Sequence, residues 1–192
     1  GYLYQGPPFR FGYQGLGELL CWIAFGPFAY SAILIALNPS NIYSEDIPWK
    51  VSLLLGSGPS LATTLVLFCS HFHQIIEDKK HGKNSPLVRI GAKKGSQFVP
   101  WIIFTIFIIQ LFTIINGFIP VFCILYLISF PQAIRLINLL QSSYNKPSAI
   151  KNCKFIAIKF QTLNGVGLIT GLIFNYLINR CLLYTSPSPR DE

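Results

Sequence analysis

Five long apolar runs constrain the fold of this chain more than any other feature of its sequence. Each run has about 20 residues, the length that an α-helix needs to cross the hydrocarbon core of a membrane. A backbone inside lipid must satisfy its own polar groups, and an α-helix does so within one segment. The sequence therefore predicts an all-α, polytopic transmembrane helix bundle with five spans, at residues 16–37, 51–69, 98–116, 118–136 and 160–183.

The composition is typical of a membrane protein. Of the 192 residues, 52% are hydrophobic and only 11% are charged, whereas soluble domains carry about 25% charged residues. In a soluble protein, the net charge of +8 would suggest nucleic acid as a partner. In a membrane protein an excess of Lys and Arg follows from topology, so we predict the lipid bilayer as a partner and no nucleic acid.

The charges of the connecting segments predict the orientation. With five spans, the first loop, which contains Arg10, lies on the same face as the basic segments 70–97 and 139–159. The acidic loop 38–48 and the Asn116-Gly117 turn lie on the opposite face. Because Lys and Arg are enriched on the cytoplasmic side of membrane proteins, we predict that the basic face is cytoplasmic, or stromal in a plastid.

The two ends of the chain differ from the rest. The chain begins at Gly1 and contains no Met, so we expect a fragment or a processed product. Residues 184–192, YTSPSPRDE, depart from the Ile-, Leu- and Phe-rich composition of the remainder. We interpret them as a non-native tail, with an ordinary disordered tail as the alternative. The predicted domain therefore covers residues 1–183.

The polar segment of residues 70–91, SHFHQIIEDKKHGKNSPLVRIG, gathers most of the groups that could do chemistry. If the preceding apolar helix continues into it, one helix face carries four polar side chains: His71, Gln74, Asp78 and His81. Glu77 borders this face, and four cations follow: Lys79, Lys80, Lys83 and Arg89. Oxygen ligands beside cations suit a Mg²⁺-bound phosphate ester. The alternative is a solvated basic loop beside a membrane.

Two further segments have more than one interpretation. Residues 1–17, GYLYQGPPFRFGYQGLG, cannot form one long helix across Pro7-Pro8, and they suit either an interfacial aromatic loop or a ligand-binding loop. The next span begins with its single charge, Glu18, which we expect at the interface or facing the bundle interior. In the second span, GSGPS at residues 56–60 is expected to kink or break the helix unless neighbouring helices satisfy the freed backbone.

Three stretches together resemble a known family: GYLYQGPPFRFGYQGLGE (1–18), FGP (25–27) and CSHFHQIIEDKKHGKNSPLVRIG (69–91). They resemble the naphthoate branch of the UbiA-type intramembrane prenyltransferases, over essentially residues 1–183. The resemblance implies nine transmembrane helices around a central cavity, of which this chain would hold the last five. It also implies two Asp-rich motifs that hold Mg²⁺ and a prenyl diphosphate. The first motif, of the form NDxxDxxxD, is absent here, so the chain alone is expected to be inactive.

The resemblance also assigns a metal site. The second motif of the family is often DxxxD, placed four residues before Gly-Lys. Gly82-Lys83 then makes Asp78 the second acid, and Gln74 stands where the first Asp would be. The resemblance implies that Asp78 and Glu77 are Mg²⁺ ligands, and that Gln74 completes the catalytic set with a neutral oxygen.

The same comparison implies further binding roles. Lys83 and Arg89 would hold the diphosphate, whereas Lys79 and Lys80 would face anionic headgroups or solvent. Tyr4 and Arg10 loosely match a Tyr-xxx-Lys/Arg element that reaches the diphosphate in the family. Two histidines, His71 and His73, would orient the acceptor, and the alternative for both is an interfacial position.

The implied reaction is the transfer of a phytyl or polyprenyl group from its diphosphate to 1,4-dihydroxy-2-naphthoate. Decarboxylation accompanies the transfer, which belongs to phylloquinone or menaquinone biosynthesis in a cyanobacterial plasma or thylakoid membrane or a plastid membrane. Within the family, the alternative acceptors are 4-hydroxybenzoate, homogentisate and chlorophyllide. Outside it, a transporter could use a broken 51–69 helix for binding, although no internal repeat is visible. A non-catalytic scaffold would give no reason for the Gln/Glu/Asp face beside Gly-Lys.

Overall fold

Helices make up most of the described chain. The computed structural model describes residues 2–37 and 47–185, and no β-strand occurs within these residues. In chain order the elements are α1 (Tyr2–Gln5), α2 (Gly17–Ile23), a π-helical segment (Ala24–Phe28), α3 (Ala29–Leu37), α4 (Trp49–His71), α5 (Ile75–Lys80), α6 (Pro86–Ile115), a 3₁₀-helix (Val121–Ser129), α7 (Phe130–Ser143), α8 (Pro147–Ile150) and α9 (Cys153–Thr185). Most of the predicted acidic loop, residues 38–46, and the tail from residue 186 onward lie outside the described residues.

Five helical stretches are long and apolar enough to cross a membrane: Gly17–Leu37, Trp49–His71, Pro86–Ile115, Val121–Ser143 and Ser148–Cys181. Large apolar side chains such as Trp101, Phe104 and Phe174 are exposed on the outside of the bundle. Apolar patches of this kind are unfavourable in water and favourable in lipid. The prediction of an all-α, multi-pass membrane protein with five spans is confirmed.

Helices continue further into the polar segments than predicted. α6 begins at Pro86, well before residue 98, because a proline at the first helical position loses no hydrogen bond. Gly91, with φ 80° and ψ 158°, interrupts α6 and separates its first turn from the membrane span. Most of the predicted basic loop 139–159 is also helical, in α7, α8 and the first turns of α9.

The break expected at GSGPS does not occur, since α4 is continuous from Trp49 to His71 although it contains Pro59. The glycines of GSGPS let other helices approach: a Cβ added at Gly56 would lie 2.8 Å from the carbonyl carbon of Gly26. Instead, the first span is distorted at FGP, where Gly26 has φ −99° and ψ −106° beside Pro27.

The bundle interior combines apolar packing with paired polar side chains. Fully buried residues of its core include Leu65, Leu136 and Phe160. Buried among such residues, Gln110 and Asn164 exchange two hydrogen bonds of 2.7 and 3.0 Å. This pairing of both amides avoids the cost of an unsatisfied polar group in apolar surroundings.

α9 and the 3₁₀-helix are in close backbone contact. A Cβ added at Gly171 would lie 2.5 Å from the Cα of Cys123, and one added at Gly167 would lie 2.4 Å from the carbonyl oxygen of Leu125. Glycines allow such an approach because they have no side chain, as is common between helices in membranes. These two elements therefore form a tightly packed pair.

Candidate functional site

The first loop and the segment that follows α5 form one polar region. The backbone N–H of Asn84 donates to the carbonyl oxygen of Tyr13 at 2.8 Å, and Arg89 Nη2 donates to the carbonyl oxygen of Gln14. Gly15 permits this contact, because its φ is +79° and an added Cβ would lie 2.5 Å from the carbonyl oxygen of Asn84. The first loop and the polar segment of residues 70–91 are therefore neighbours in space.

A turn separates α4 from α5, so the prediction that one helix continues through the polar segment is wrong. α4 ends at His71, and the next residue, Phe72, is buried in the core, where its ring packs edge-on against Phe68 at 5.7 Å between centroids. Burial of Phe72 accompanies the turn at residues 72–74, after which α5 begins at Ile75.

A cavity of about 370 Å³, here called the polar cavity, lies between the first loop and α5. Its walls come from α1, from the first loop and from residues 74–83, and consist of Tyr4, Gln5, Gly12, Tyr13, Gln74, Glu77, Asp78, His81 and Lys83. Among them, the residues predicted from the resemblance are Tyr4, Gln74, Glu77, Asp78 and Lys83. The structure brings these five side chains to one cavity, and their roles there stay predictions.

Asp78 and Lys83 form the charged wall of this cavity. Gly82 has φ +69° and reverses the chain after α5, so that the Lys83 ammonium returns to Asp78 with Nζ 3.3 Å from Oδ1. Asp78 is only 8% exposed, and its second oxygen, Oδ2, is buried without a hydrogen-bond partner. A buried carboxylate oxygen without a partner is costly unless a ligand or water satisfies it.

The donor set at this wall fits Mg²⁺ bound together with a phosphate ligand. Within the described residues, no group of three His, Cys, Asp or Glu could hold a metal ion. Mg²⁺ does not require such a group, because it commonly binds one or two carboxylates, substrate phosphates and water. Asp78 Oδ2 and the exposed carboxylate of Glu77, which lines the same cavity, are the oxygen atoms that would serve as protein ligands.

Behind the cavity, hydrogen bonds connect Lys83 to α4 and α2. Lys83 Nζ lies 3.3 Å from Nε2 of His71, and Nδ1 of His71 lies 3.0 Å from Oε1 of Glu18. The side chains of His71 and Glu18 are 5% and 15% exposed. Glu18, the single charge of the first span, therefore faces the bundle interior rather than lipid.

Tyr4 is held against two glycines. A Cβ added at Gly12 would lie 3.1 Å from the Tyr4 ring, and a Cβ added at Gly17 would lie 2.9 Å from the Tyr4 hydroxyl. Burial raises the pKa of the Tyr4 phenol above its usual 10.0, and the nearby Glu18 carboxylate and Cys21 raise it further. The phenol therefore stays protonated at neutral pH, where its hydroxyl can donate a hydrogen bond to an anion.

An apolar groove of about 740 Å³ adjoins the polar cavity. Its walls come mainly from α2, the π-helical segment and α4, with side chains such as Leu20, Phe25 and Val66. Tyr4 lines both the groove and the polar cavity. An amphiphile with an anionic head and a hydrocarbon tail matches this pair of adjoining spaces.

Besides His71, three residues with predicted binding or orienting roles are not among those that line the polar cavity. Arg89 contacts the backbone of the first loop, and the Arg10 guanidinium lies 5.7 Å from the ring centroid of Tyr13. His73 has a buried Nδ1 without a hydrogen-bond partner. Lys79 and Lys80 are exposed, as expected for side chains that face headgroups or solvent.

The sequence did not identify Glu18, Gly12 and Gly17 as parts of the site. A charge at the start of an apolar span was the available signal for Glu18. The glycines gave no such signal, because each fits against Tyr4 only after the first loop has folded.

Two curated proteins are similar to this chain. It is 38% identical over 171 residues to 2-carboxy-1,4-naphthoquinone phytyltransferase of Synechocystis sp., and the aligned region covers 89% of this chain and 53% of that protein. It is 37% identical over 175 residues to the chloroplastic 2-carboxy-1,4-naphthoquinone phytyltransferase of Arabidopsis thaliana, and the aligned region covers 90% of this chain and 46% of that protein. The chain is a homologue of these phytyltransferases.

The chain spans about half the length of the curated relatives it matches. No protein-family model and no solved structure matches it. The similarity covers about nine tenths of the chain. The relatives are known from a cyanobacterium and from a chloroplast, in agreement with the membrane fold.

Proposed function

We propose that this chain is part of a UbiA-type membrane prenyltransferase that transfers a phytyl or polyprenyl group from its diphosphate to 1,4-dihydroxy-2-naphthoate. One observation carries the proposal. This chain, a homologue of two phytyltransferases, has a buried Asp78 whose Oδ2 lacks a hydrogen-bond partner. Asp78 lies beside Lys83 in a polar cavity that adjoins an apolar groove. The cavity is suited to a diphosphate and the groove to an isoprenoid tail.

The residues of the polar cavity bind and activate the leaving group. Lys83 and the protonated Tyr4 hydroxyl donate hydrogen bonds to diphosphate oxygens, while Asp78 and Glu77 would hold Mg²⁺ and Gln74 would add a neutral oxygen. When bound, Mg²⁺ supplies positive charge that offsets the charge developing on the diphosphate. Stabilisation of this charge lowers the barrier to breaking the allylic C–O bond, whose electron pair leaves with the diphosphate.

The apolar groove protects the allylic cation from water until the acceptor captures it. A ring carbon of the naphthoate donates the electron pair of the new C–C bond. The bond from that carbon to its carboxylate then breaks, CO₂ leaves, and the electrons of the broken bond restore the aromatic ring. We propose that this reaction belongs to phylloquinone or menaquinone biosynthesis.

The basic segments support a cytoplasmic or stromal orientation of the polar cavity, following the enrichment of Lys and Arg on that side. We propose that activity requires a further Asp-rich motif from a part of the enzyme outside this sequence. The 192-residue chain alone is therefore expected to form no product.

A segment exchange tests the proposed function. The part of the Synechocystis relative that aligns with this chain is replaced by residues 1–183, and membranes are assayed with phytyl diphosphate and 1,4-dihydroxy-2-naphthoate. We expect prenylated, decarboxylated product by mass spectrometry, loss of product with EDTA, and recovery with Mg²⁺. Asp78→Asn keeps the shape of the side chain and should lower turnover by about 10³-fold, whereas the exposed Lys94→Gln should not.

A stable, inserted exchange protein that yields no naphthoate product would contradict the proposed acceptor. The same membranes would then be assayed with 4-hydroxybenzoate and homogentisate, and product from either would support another aromatic acceptor. The transporter alternative relied on a break in the second span, and α4 is continuous there.

A further inference from the structure

Glu18, His71 and Lys83 form a hydrogen-bonded row that ends at the polar cavity. Each residue comes from a different part of the chain: Glu18 from α2, His71 from the last turn of α4, and Lys83 from the segment after α5. Only Lys83 lines the cavity. Glu18 and His71 therefore influence a ligand in the cavity through Lys83.

The chemistry of the three groups fixes the direction of the hydrogen bonds. A lysine ammonium has three N–H donors and no acceptor, so Nε2 of His71, at 3.3 Å from Nζ, must accept. The neutral imidazole then carries its proton on Nδ1, which donates to Oε1 of Glu18 at 3.0 Å. A doubly protonated imidazole would instead direct an N–H at the ammonium, with two positive charges 3.3 Å apart.

We propose that Glu18 and His71 are positioning residues, which hold the Lys83 ammonium between two acceptors so that it contacts the diphosphate in a fixed geometry. Asp78 Oδ1 accepts one N–H of Lys83 and His71 Nε2 accepts another, which leaves the third for an anion in the cavity. The proposal rests on the proposed function, since it takes the anion to be the diphosphate of the prenyl donor.

His71 also keeps Lys83 from pairing with Asp78 alone. A lysine side chain is flexible, so without His71 the ammonium would be free to move toward the nearest carboxylate and pair with both of its oxygens. Asp78 Oδ2, which lacks a partner in the structure, would then be neutralised by the ammonium. By accepting one N–H, His71 leaves that oxygen available to Mg²⁺. This role differs from acceptor orientation, because His71 is not among the residues that line the polar cavity.

Kinetics of the segment-exchange enzyme test the proposal. His71→Leu and Glu18→Leu should each raise KM for phytyl diphosphate by about ten- to a hundredfold, while KM for the naphthoate stays unchanged. His71→Gln should lose only about threefold, because an amide oxygen can still accept from Lys83. In a Lys83→Met background, His71→Leu should cause no further loss, since the residue through which it acts is absent.

A matched control separates positioning from general destabilisation. The double variant Gln110→Leu/Asn164→Leu removes another buried, hydrogen-bonded pair far from the polar cavity. It should leave KM for phytyl diphosphate unchanged. An equal loss from His71→Leu with and without Lys83, or a change in KM for the naphthoate alone, would overturn the proposal.

Two measurements on the 192-residue chain need no turnover. In nanodiscs with Mg²⁺, calorimetry with inorganic diphosphate should give a Kd that His71→Leu raises about tenfold. Nitrogen-15 NMR of the three labelled histidine rings should show His71 as a neutral imidazole protonated at Nδ1. A doubly protonated His71, or an unchanged Kd, would overturn the proposal. Neither result depends on the aromatic acceptor, so failure of the proposed function remains a separate outcome.

Discussion

Buried polar groups are treated differently in two regions of this molecule. In the bundle interior, the amides of Gln110 and Asn164 satisfy each other through two hydrogen bonds. Around the polar cavity, Asp78 Oδ2 and Glu18 Oε2 are buried without a protein partner. The interior pair is complete, whereas these two carboxylate oxygens remain as acceptors that a ligand or water can satisfy. Neutral atoms such as Gln132 Oε1 are also buried without a partner, so among the described residues it is the buried carboxylate oxygens that distinguish the candidate site from the supporting structure.

The glycines of the two regions also differ. Gly167 and Gly171 of α9 face the backbone of the 3₁₀-helix, which cannot move without disturbing a whole element. Gly12 and Gly17 face the side chain of Tyr4. A side chain added at Gly167 or Gly171 should therefore affect folding, and a side chain added at Gly12 or Gly17 should affect binding of the prenyl diphosphate.

The largest expected effect is in the bundle interior. Gly171→Ala would bring Cβ to 2.5 Å from three backbone atoms of residues 122–123, and should lower the free energy of unfolding by about 3 kcal/mol. Gly165→Ala, in the same helix, has open space at its Cβ and should stabilise the protein by about 0.5 kcal/mol. Unfolding in mixed detergent micelles measures both. Equal stabilities would show that α9 and the 3₁₀-helix are not packed this closely.

The next effect is at the site. Gly17→Ala would bring Cβ to 2.9 Å from the Tyr4 hydroxyl and displace the ring, so we expect KM for phytyl diphosphate in the segment-exchange enzyme to rise about tenfold. Stability should change little, because a side chain can move where a backbone cannot. A large loss of stability with unchanged KM would contradict this division between the two glycine pairs.

Breaking one half of the interior pair should cost less than Gly171→Ala. Gln110→Leu leaves the Asn164 amide buried and unpaired, and should lower the free energy of unfolding by about 1 kcal/mol. Adding Asn164→Leu should restore most of the loss, because both polar groups are then gone. Thermal unfolding of the two variants tests this, and a double variant weaker than the single one would show that the pair stabilises the fold by itself.

Arg89→Gln should have a moderate effect that spreads through the first loop. It removes the donor to the Gln14 carbonyl and so loosens the loop that carries Tyr4 and Tyr13 into the polar cavity. We expect KM for phytyl diphosphate to rise about threefold and limited proteolysis of the loop to accelerate. Lys93→Gln removes an equal charge from an exposed position and serves as the control. A rise in KM for phytyl diphosphate without faster proteolysis would indicate direct contact of Arg89 with the diphosphate.

The smallest effect concerns alkaline pH. The pKa of Tyr4 is raised above 10.0 by burial first and then by the Glu18 carboxylate and Cys21, so the folded state favours the protonated phenol. Its contribution to stability is complete below the unfolded pKa near 10 and is lost as pH rises through the higher folded pKa. Tyr4→Phe should remove this alkaline loss from a stability profile measured between pH 8 and 11. An unchanged profile would show that another group titrates there.

The sequence predicted the bundle because long apolar runs have few other folds available to them. It also grouped Gln74, Glu77, Asp78 and Lys83 as one candidate site, and the structure brings these side chains to one cavity. It did not predict the turn after His71, because burial of Phe72 depends on neighbouring helices. The contact between His71 and Glu18 joins residues 53 positions apart in the chain, which no local pattern reveals. The contact of Arg89 with the first loop is hidden from the sequence for the same reason, and its diphosphate role stays a prediction.

The 3₁₀-helix at Val121–Ser129 changes the length of the fourth span. A 3₁₀-helix rises about 2.0 Å per residue and an α-helix about 1.5 Å, so these residues extend the span by about 4 Å without any insertion. Arg135 consequently lies about 25 Å along the span from Val121 instead of about 21 Å, in a hydrocarbon layer about 30 Å thick. Local stretching thus carries a charged side chain toward the membrane surface, where its guanidinium can be hydrated.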